Sequence, residues 1–532
     1  MIRAIGVLIA MALVIGIPFA LRPEESLFAK ADDNLVVITP HNEAIRYEFS
    51  KAFSEHYKAT TGRSVRIDWR MPGGTSEIAR YLKGEFFAAF EFYWRSSGRD
   101  WTPEVQAAFD NPKVGLPAND AEDTPAQAAR RAFLASGVGV GLDIFFGGGA
   151  YDFTIQAEAG RLVDSGVLER HPGWFGEASI PQTVSGEEFY DAQGRWIGAV
   201  ISSFGICYNS DSLRRLGITE LPAAWSDLGR PEFLKEVALA DPTKSGSAAK
   251  AFEMIIQQQM QRHSDGQVGE DARPAIAQGW LDGLAIIQRA SANARYFTDA
   301  ASKVPMDVSQ GDASVGMSID FYGRYQSESV RIGDKPSRLQ YFTPAGGSSV
   351  GVDPIAMFRG APNPEVAKHF IDFVLSLEGQ KLWNFKVGVP GGPRRYALRR
   401  LPVRKELYAP EFAEFRSDPE VFPYEEAKLF VYHPGWTGPL FKAMGFIIRV
   451  MSLDPHDEQV AAWKALIAAD FPPRATERFS DLSAVSYQIA SEKIRPSLSS
   501  ADRLQEVRLA KQLGDAFRRQ YREAEELAKQ GK

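Results

Sequence analysis

Asn34 to Pro40, NLVVITP, is a short apolar run of β type, and directly after it the period of the apolar residues changes. Ile45, Phe49, Phe53 and Tyr57 recur at helical spacing through NEAIRYEFSKAFSEHYKATTG before a terminating glycine. VRIDWR then reads as a second strand, PGGTS as a loop and EIARYL as a helix start. Strand, helix and strand in succession leave few solutions, and the simplest is a parallel or mixed sheet with helices on its faces. Ligands of such sheets sit in the crevice beyond the carboxyl ends of the strands, which makes Thr39 to Asn42, Pro72 to Ser76 and Gly147 to Ala150 candidate loops. At 532 residues the chain exceeds what one core fills, so at least two domains are expected.

The rhythm breaks between Phe86 and Gly137, where aromatic FFAAFEFYW and the charged, small-residue NDAEDTPAQAARRAF read as an inserted excursion with short helices of its own. It resumes with IGAVISSFGICYN, EVALADP, the helix AAKAFEMIIQQQM, the strands VGMSIDFY and GVDPIAMF, and the helix VAKHFIDFVLSL. Beyond Leu401 the pattern is mostly helical and charged, and it ends in an amphipathic stretch.

A net charge of -6 provides no basic field for nucleic acid. The single cysteine, Cys207, excludes an intrachain disulfide and any CxxC centre, and within its apolar run it reads as a small buried hydrophobe. The first residues differ from all others: Arg3 precedes an apolar run from Ala4 to Leu21, and Ala29-Lys30-Ala31 offers a small-x-small cleavage site. This is a secretory signal or, if retained, an anchor in the cytoplasmic membrane, and it directs the remainder of the chain to a periplasm.

Enzyme motifs fail. There is no GxxxxGK[ST], HExxH or GxSxG, and the triplet Gly147 to Gly149 is followed by AYD rather than the spacing of a nucleotide loop. Two loops instead share a design suited to anions. PGGTSEIARYL and DPTKSGSAAKAFEMII each place glycine and hydroxyl residues at a helix start, where unpaired N–H groups and a partial positive charge can hold an oxyanion, although either could be a plain helix cap. In SIDFYGRY, Asp320, Tyr322 and Tyr325 leave a strand end; their oxygens suit a hard trivalent cation or a polar ligand, and simple packing is the alternative. The basic run PRRYALRRLPVRK, Pro393 to Lys405, reads as a solvated face.

The collinear order of LVVITPHNE, PGGTSEIARYL, DIFFGGGAYDF, WIGAVISSFGICYNSDSL, PAAWSDLGRPEFLKEVALADPTKSGSA and VDPIAMFRGAPNPEVAKHFIDFVLSLEGQKLW resembles extracellular solute-binding proteins of ABC importers. The particular resemblance is to the ferric-iron-binding-protein-like branch of type 2 periplasmic binding proteins, over Asn34 to Arg400 apart from the insertion at about 86–137. It implies an α/β fold of two lobes joined by a two-strand hinge near Ile197 to Ser203 and Leu339 to Thr343. Lobe 1 would comprise 34–202 and 343–400, lobe 2 would comprise 203–342, and 1–31 and 401–532 would be a leader and a helical C-terminal extension. Deletion of that extension is expected to leave ligand binding intact.

The resemblance also implies a ligand site in the cleft. His41 with Asn42, the loop Gly74, Thr75 and Ser76, and Gly148 with Gly149 come from lobe 1. Ser202 and Ser203 come from the hinge, and Ser245, Gly246, Ser247, Asp320 and Tyr322 from lobe 2. The adjacent tyrosines that grip iron in that branch fall on Phe321 and Tyr322, so one phenolate is missing. A ferric site would therefore draw on His41 and Tyr322 with Asp320 or Tyr325 in place of the missing phenolate, and a small phosphorylated, phosphonate or carboxylate solute is the expected cargo. No resident cofactor and no catalytic residue is implied. The partner would be an ABC permease in the cytoplasmic membrane, with the receptor a monomer; a tethered sensor or scaffold is the alternative role.

Overall fold

The computed structural model describes residues 31–532 apart from 120–122, 334 and 501. The apolar leader at Ala4 to Leu21 lies outside the described residues. Within them, no helix is long and apolar enough to cross a membrane.

The molecule is two-lobed and α/β. Lobe 1 is built on a seven-stranded sheet in the order β14-β7-β13-β3-β1-β2, with β4 also paired to β13. Its strands are β1 (Asp33–Ile38), β2 (Val65–Arg70), β3 (Ile144–Phe146), β4 (Leu162–Val163), β7 (Ile197–Ser202), β13 (Gly351–Phe358) and β14 (Leu401–Pro402). β1 is parallel to β2 and β3, whereas β13 runs antiparallel to β3 and β7. A separate hairpin, β5 (Thr183–Val184) and β6 (Glu187–Glu188), stands beside it. Lobe 2 has a five-stranded sheet, β10-β9-β11-β8-β12, made of β8 (Phe204–Asn209), β9 (Val237–Ala240), β10 (Ala294–Thr298), β11 (Val315–Ile319) and β12 (Leu339–Phe342).

The period-two alternation of β1 sorts its side chains onto two faces. Leu35 and Val37 pack with Phe49, Phe53 and the Pro364–Leu375 helix, whereas Ile38 packs with Ile78, Phe86 and Phe90 on the other side. In lobe 2, Ile206, Val237 and Leu239 face the Gly246–Ser264 and Arg273–Ala292 helices, and Cys207, Ala238 and Ala240 face a smaller cluster with Val304 and Val308. Cys207 is buried, and burial pushes its thiol up to about 12.

Two sequence expectations change. One helix, Thr75–Ser96, runs straight through Phe86, so no separate unit begins there; Phe86, Phe90, Trp94 and Phe133 are lobe 1 core. The second concerns the extension, for which the sequence leaves open packing on a lobe or contact with a partner and implies dispensability for binding; it packs on lobe 2. The helices beyond residue 434 are not an appendage, because Met444, Ile447, Met451, Trp463, Leu466, Phe479 and Tyr521 belong to the same apolar core as Trp280, Leu284 and Ile287 of lobe 2. Polar anchors fix the register: the indole N–H of Trp280 donates to Val485 O at 2.9 Å, that of Trp463 to Asn293 Oδ1 at 2.8 Å, and Gln288 Nε2 to Phe479 O at 2.9 Å.

Residues 251–260 of the Gly246–Ser264 helix are buried on every side, and Trp280, Leu284 and Ile287 of the Arg273–Ala292 helix are buried against the C-terminal helices, so both depend on that cover. Truncation after His433 is therefore expected to abolish soluble, cooperatively folding protein. Trp280→Ala in the full chain should cost about 3–5 kcal/mol in urea unfolding. A truncated chain that folds and binds as the intact one does would show that the C-terminal helices are dispensable after all.

Candidate functional site

The loops at the carboxyl ends of β1 and β3 are locked to each other first. Thr39 Oγ1 donates to Phe146 O at 2.6 Å and accepts from His41 N at 3.0 Å, which turns the His41 ring inward. Gly147 follows β3 with φ +88°, and a Cβ there would lie 2.3 Å from His41 Nε2. Gly148, φ +116°, likewise leaves room for Thr75, whose methyl carbon would be 2.8 Å from a Cβ. The glycines thus let His41 and Thr75 press against the backbone, and the lobe 1 loops of residues 39–42, 73–76 and 147–149 form one surface.

Two helices begin on that surface, Thr75–Ser96 after Gly74 and Ala150–Ala159 after Gly149, and neither start has a side-chain cap. Asp152 N donates back to Gly149 O at 3.1 Å, and the other first-turn N–H groups are candidate donors, each helix contributing a partial positive charge. Ser76 is exposed beside the first of them. Asn42, by contrast, caps the Glu43–Thr61 helix through its side chain, accepting from Ile45 N at 3.1 Å. Ser245 does the same for the Gly246–Ser264 helix, accepting from Ala248 N at 3.3 Å. Gly246 and Ser247 form that helix's first turn, and the loop before it borders an open groove of about 760 Å³ lined by Asp241, Lys244, Tyr296, Lys303 and His456. Ser202 pairs with Gly351 in the sheet, while Ser203 O accepts from Asp320 N at 2.9 Å.

Of the residues expected around a ferric ion, His41 instead faces a buried arginine. Arg400 is fully buried; its Nη2 donates to Asp353 Oδ2 at 2.6 Å, its Nη1 lies 3.2 Å from His41 Nε2, and its guanidinium sits 4.0 Å above the Phe321 ring. Burial, then the charge of Arg400, drives His41 well below the usual histidine range, so its imidazole is neutral. The phenol of Tyr322 is pushed up by burial, with Arg400 opposing and Asp353 assisting. Tyr325, one turn on in the same helix, packs against the lobe 1 core.

Asp320 is completely buried, and neither carboxylate oxygen has a hydrogen-bond partner among the described residues. Burial raises it to about 6, while Arg324 and Arg400 pull it down. Only the start of the basic run is a solvated face: Arg394 and Arg395 are exposed, whereas Arg400 is buried as above, Arg399 reaches Asp418 at 2.9 Å and Glu328 at 2.9 Å, and Arg404 reaches Glu406 at 2.6 Å. A usable signal existed in GVDPIAMF, because an aspartate inside an otherwise apolar strand requires a buried cation.

A profile described as bacterial extracellular solute-binding protein matches residues 142–417, just over half of the chain. The protein belongs to that family. Members of the solute-binding family are binding proteins of ABC transporters rather than enzymes, and they deliver small molecules to membrane permeases. The match continues past Leu401, so the first part of the extension falls within the family pattern. An uncharacterized protein of Haemophilus influenzae is 27% identical over 246 residues, 45% of this chain and 60% of that one. The phosphoglycerate transport regulatory protein PgtC of Salmonella typhimurium is 22% identical over 186 residues, 35% of this chain and 40% of its own. The chain thus spans only 40% to 60% of the length of these curated relatives. Among solved structures, iron-bound HitA from Pseudomonas aeruginosa is 15% identical with a TM-score of 0.45, covering 78% of this chain and 99% of that one.

Asp320 also sets a pH dependence. Its native carboxyl holds a proton more tightly than the unfolded chain does, so between about pH 4 and pH 6 the native state binds more protons and stability falls as pH rises. Asp320→Asn is expected to stabilise the protein by roughly 3 kcal/mol at pH 7, shrinking toward zero near pH 3. Denaturant melts of both proteins across that range check it; a pH-independent difference would mean that Asp320 is ionised at no cost.

Proposed function

We propose that this protein is the periplasmic capture component of an ABC importer and that its cargo is a small organic anion carrying a phosphate, phosphonate or carboxylate group. The observation that carries the reading is the pair of helix starts at Gly74 and Gly149, both without side-chain caps and drawn together by the contact of Gly148 with Thr75. Backbone N–H groups at two converging helix starts suit an oxyanion. Thr75 and Ser76 add hydroxyl donors, and the helix start at Ser245 to Ser247 is the candidate contact from lobe 2. Asp320, buried with both oxygens unpartnered among the described residues, would accept from a hydroxyl or ammonium group elsewhere on the solute. The name of the Salmonella relative, a phosphoglycerate transport regulatory protein, agrees with a phosphorylated cargo.

Ferric iron fits less well. Arg400 stands 3.2 Å from the His41 nitrogen that would coordinate the metal, and a permanent cation there repels a trivalent one. Phe321 supplies a ring face to that guanidinium where the iron-binding pattern needs a phenolate. The loaded receptor would dock on a permease, acting as a monomer held in the periplasm by its leader or released from it.

Isothermal titration with a panel of sugar phosphates, phosphoglycerate, aminoalkylphosphonates and dicarboxylates, alongside ferric citrate and putrescine, tests the reading. Saturable binding of an anion is expected, weakened about tenfold by Thr75→Val, the loss of one hydrogen bond to a charged group, with no change in the unliganded melting temperature. The double variant Ser245→Ala with Ser247→Ala should weaken the same anion if lobe 2 contributes. Binding of ferric citrate or putrescine alone would overturn the anion reading.

A further inference from the structure

A third segment of chain passes between the lobes. After β14 leaves the edge of the lobe 1 sheet, Val403, Val421 and Ala427 are buried in the lobe 1 aromatic core, and Phe430 and Tyr432 are buried in the core of lobe 2. The crossing is tied down at both ends. At one end Asp418, fully buried, accepts from Arg399 Nε at 2.9 Å and Asn384 Nδ2 at 3.0 Å on the lobe 1 side. On the other side it accepts from Arg324 Nη1 at 3.3 Å, in the Asp320–Ser329 helix of lobe 2, and Arg399 itself reaches Glu328 of that helix at 2.9 Å.

At the other end the β5–β6 hairpin of lobe 1 grips the crossing. Tyr432 N donates to Ser185 O at 2.7 Å, and Ser185 Oγ donates to Phe430 O. Glu187 then reaches lobe 2: it is 3.0 Å from Lys250 Nζ, which also lies 3.0 Å from Glu253 and 3.6 Å above the Tyr432 ring. Glu253 accepts from Tyr432 at 3.0 Å. Burial alone would push the Lys250 ammonium down, but Glu187 and Glu253 hold it well above the usual lysine range.

We propose that residues 403–433 form a latch that holds the lobes together whether or not a solute is bound. In a binding protein with only two hinge strands, closure is favoured because contacts to the ligand from both lobes exist in the closed state alone. Here the chain supplies such contacts itself. Separating the lobes would give up the Asp418–Arg324, Arg399–Glu328 and Glu187–Lys250 pairs together, although Asp418 keeps Arg399 and Lys250 keeps Glu253. The closed form is the resting form, and solute exchange follows release of the latch.

Spin labels at Lys51→Cys, exposed in lobe 1, and Arg262→Cys, exposed in lobe 2, report the interlobe distance without interference from buried Cys207. One narrow distance distribution is expected in the unliganded full-length protein. A second, longer population comparable in size to the first would overturn the proposal with no variant needed. Asp418→Asn combined with Glu187→Gln should raise the longer population at least tenfold, with circular dichroism and a thermal melt confirming that the variant folds. A folded double variant whose distance distribution matches the wild type would also overturn it. Both readouts are independent of the solute, so they separate failure of the latch from failure of the anion reading.

Discussion

A guanidinium removed completely from water must find its partners inside the protein, and around Arg400 that requirement organises the meeting of the lobes. Asp353 from the centre of β13, His41 from the loop after β1, and the ring of Phe321 from the lobe 2 helix all converge on it. An ion left unpaired at such depth would cost several kcal/mol, so the three segments are held in mutual register by the charge between them. The same demand explains why His41 is neutral and why Asp353 interrupts an apolar strand.

The glycine triplet follows from the same packing. With His41 turned toward Arg400 and against Phe146, its ring lies where a side chain at position 147 would be, and Thr75 lies where one at 148 would be. Removing two side chains lets three loops share one surface, and that surface carries the two uncapped helix starts. This loop surface is in that sense the by-product of close backbone approach rather than of a phosphate-loop motif.

Much of the architecture was legible in local patterns. The short apolar run NLVVITP and the helical spacing of Ile45, Phe49 and Phe53 pointed to a sheet with helices on its faces, and β1 does pack on both sides. The collinear motifs pointed to the solute-binding family. Illegible were the pairings that depend on residues distant in sequence. Asp418 with Arg324, Glu187 with Lys250 and Asp353 with Arg400 join segments that no periodicity connects. The later part of the basic run, Arg399 to Arg404, was misread for that reason, since its composition matches a solvated face and only its partners bury it.

Composition and period alone pointed to an α/β sheet covered by helices, to candidate loops beyond its strand ends and to the lack of an intrachain disulfide, because these depend on residues a few positions apart; the family came from the resemblance of the collinear motifs. Tertiary structure decided which hydroxyls are free and which are caps, that a buried arginine stands where the family resemblance implied a metal, and that the C-terminal helices complete the core of lobe 2. Those outcomes depend on which charges and apolar faces come together across hundreds of residues. Desolvation then makes an unpaired charge or an uncovered face too costly to leave.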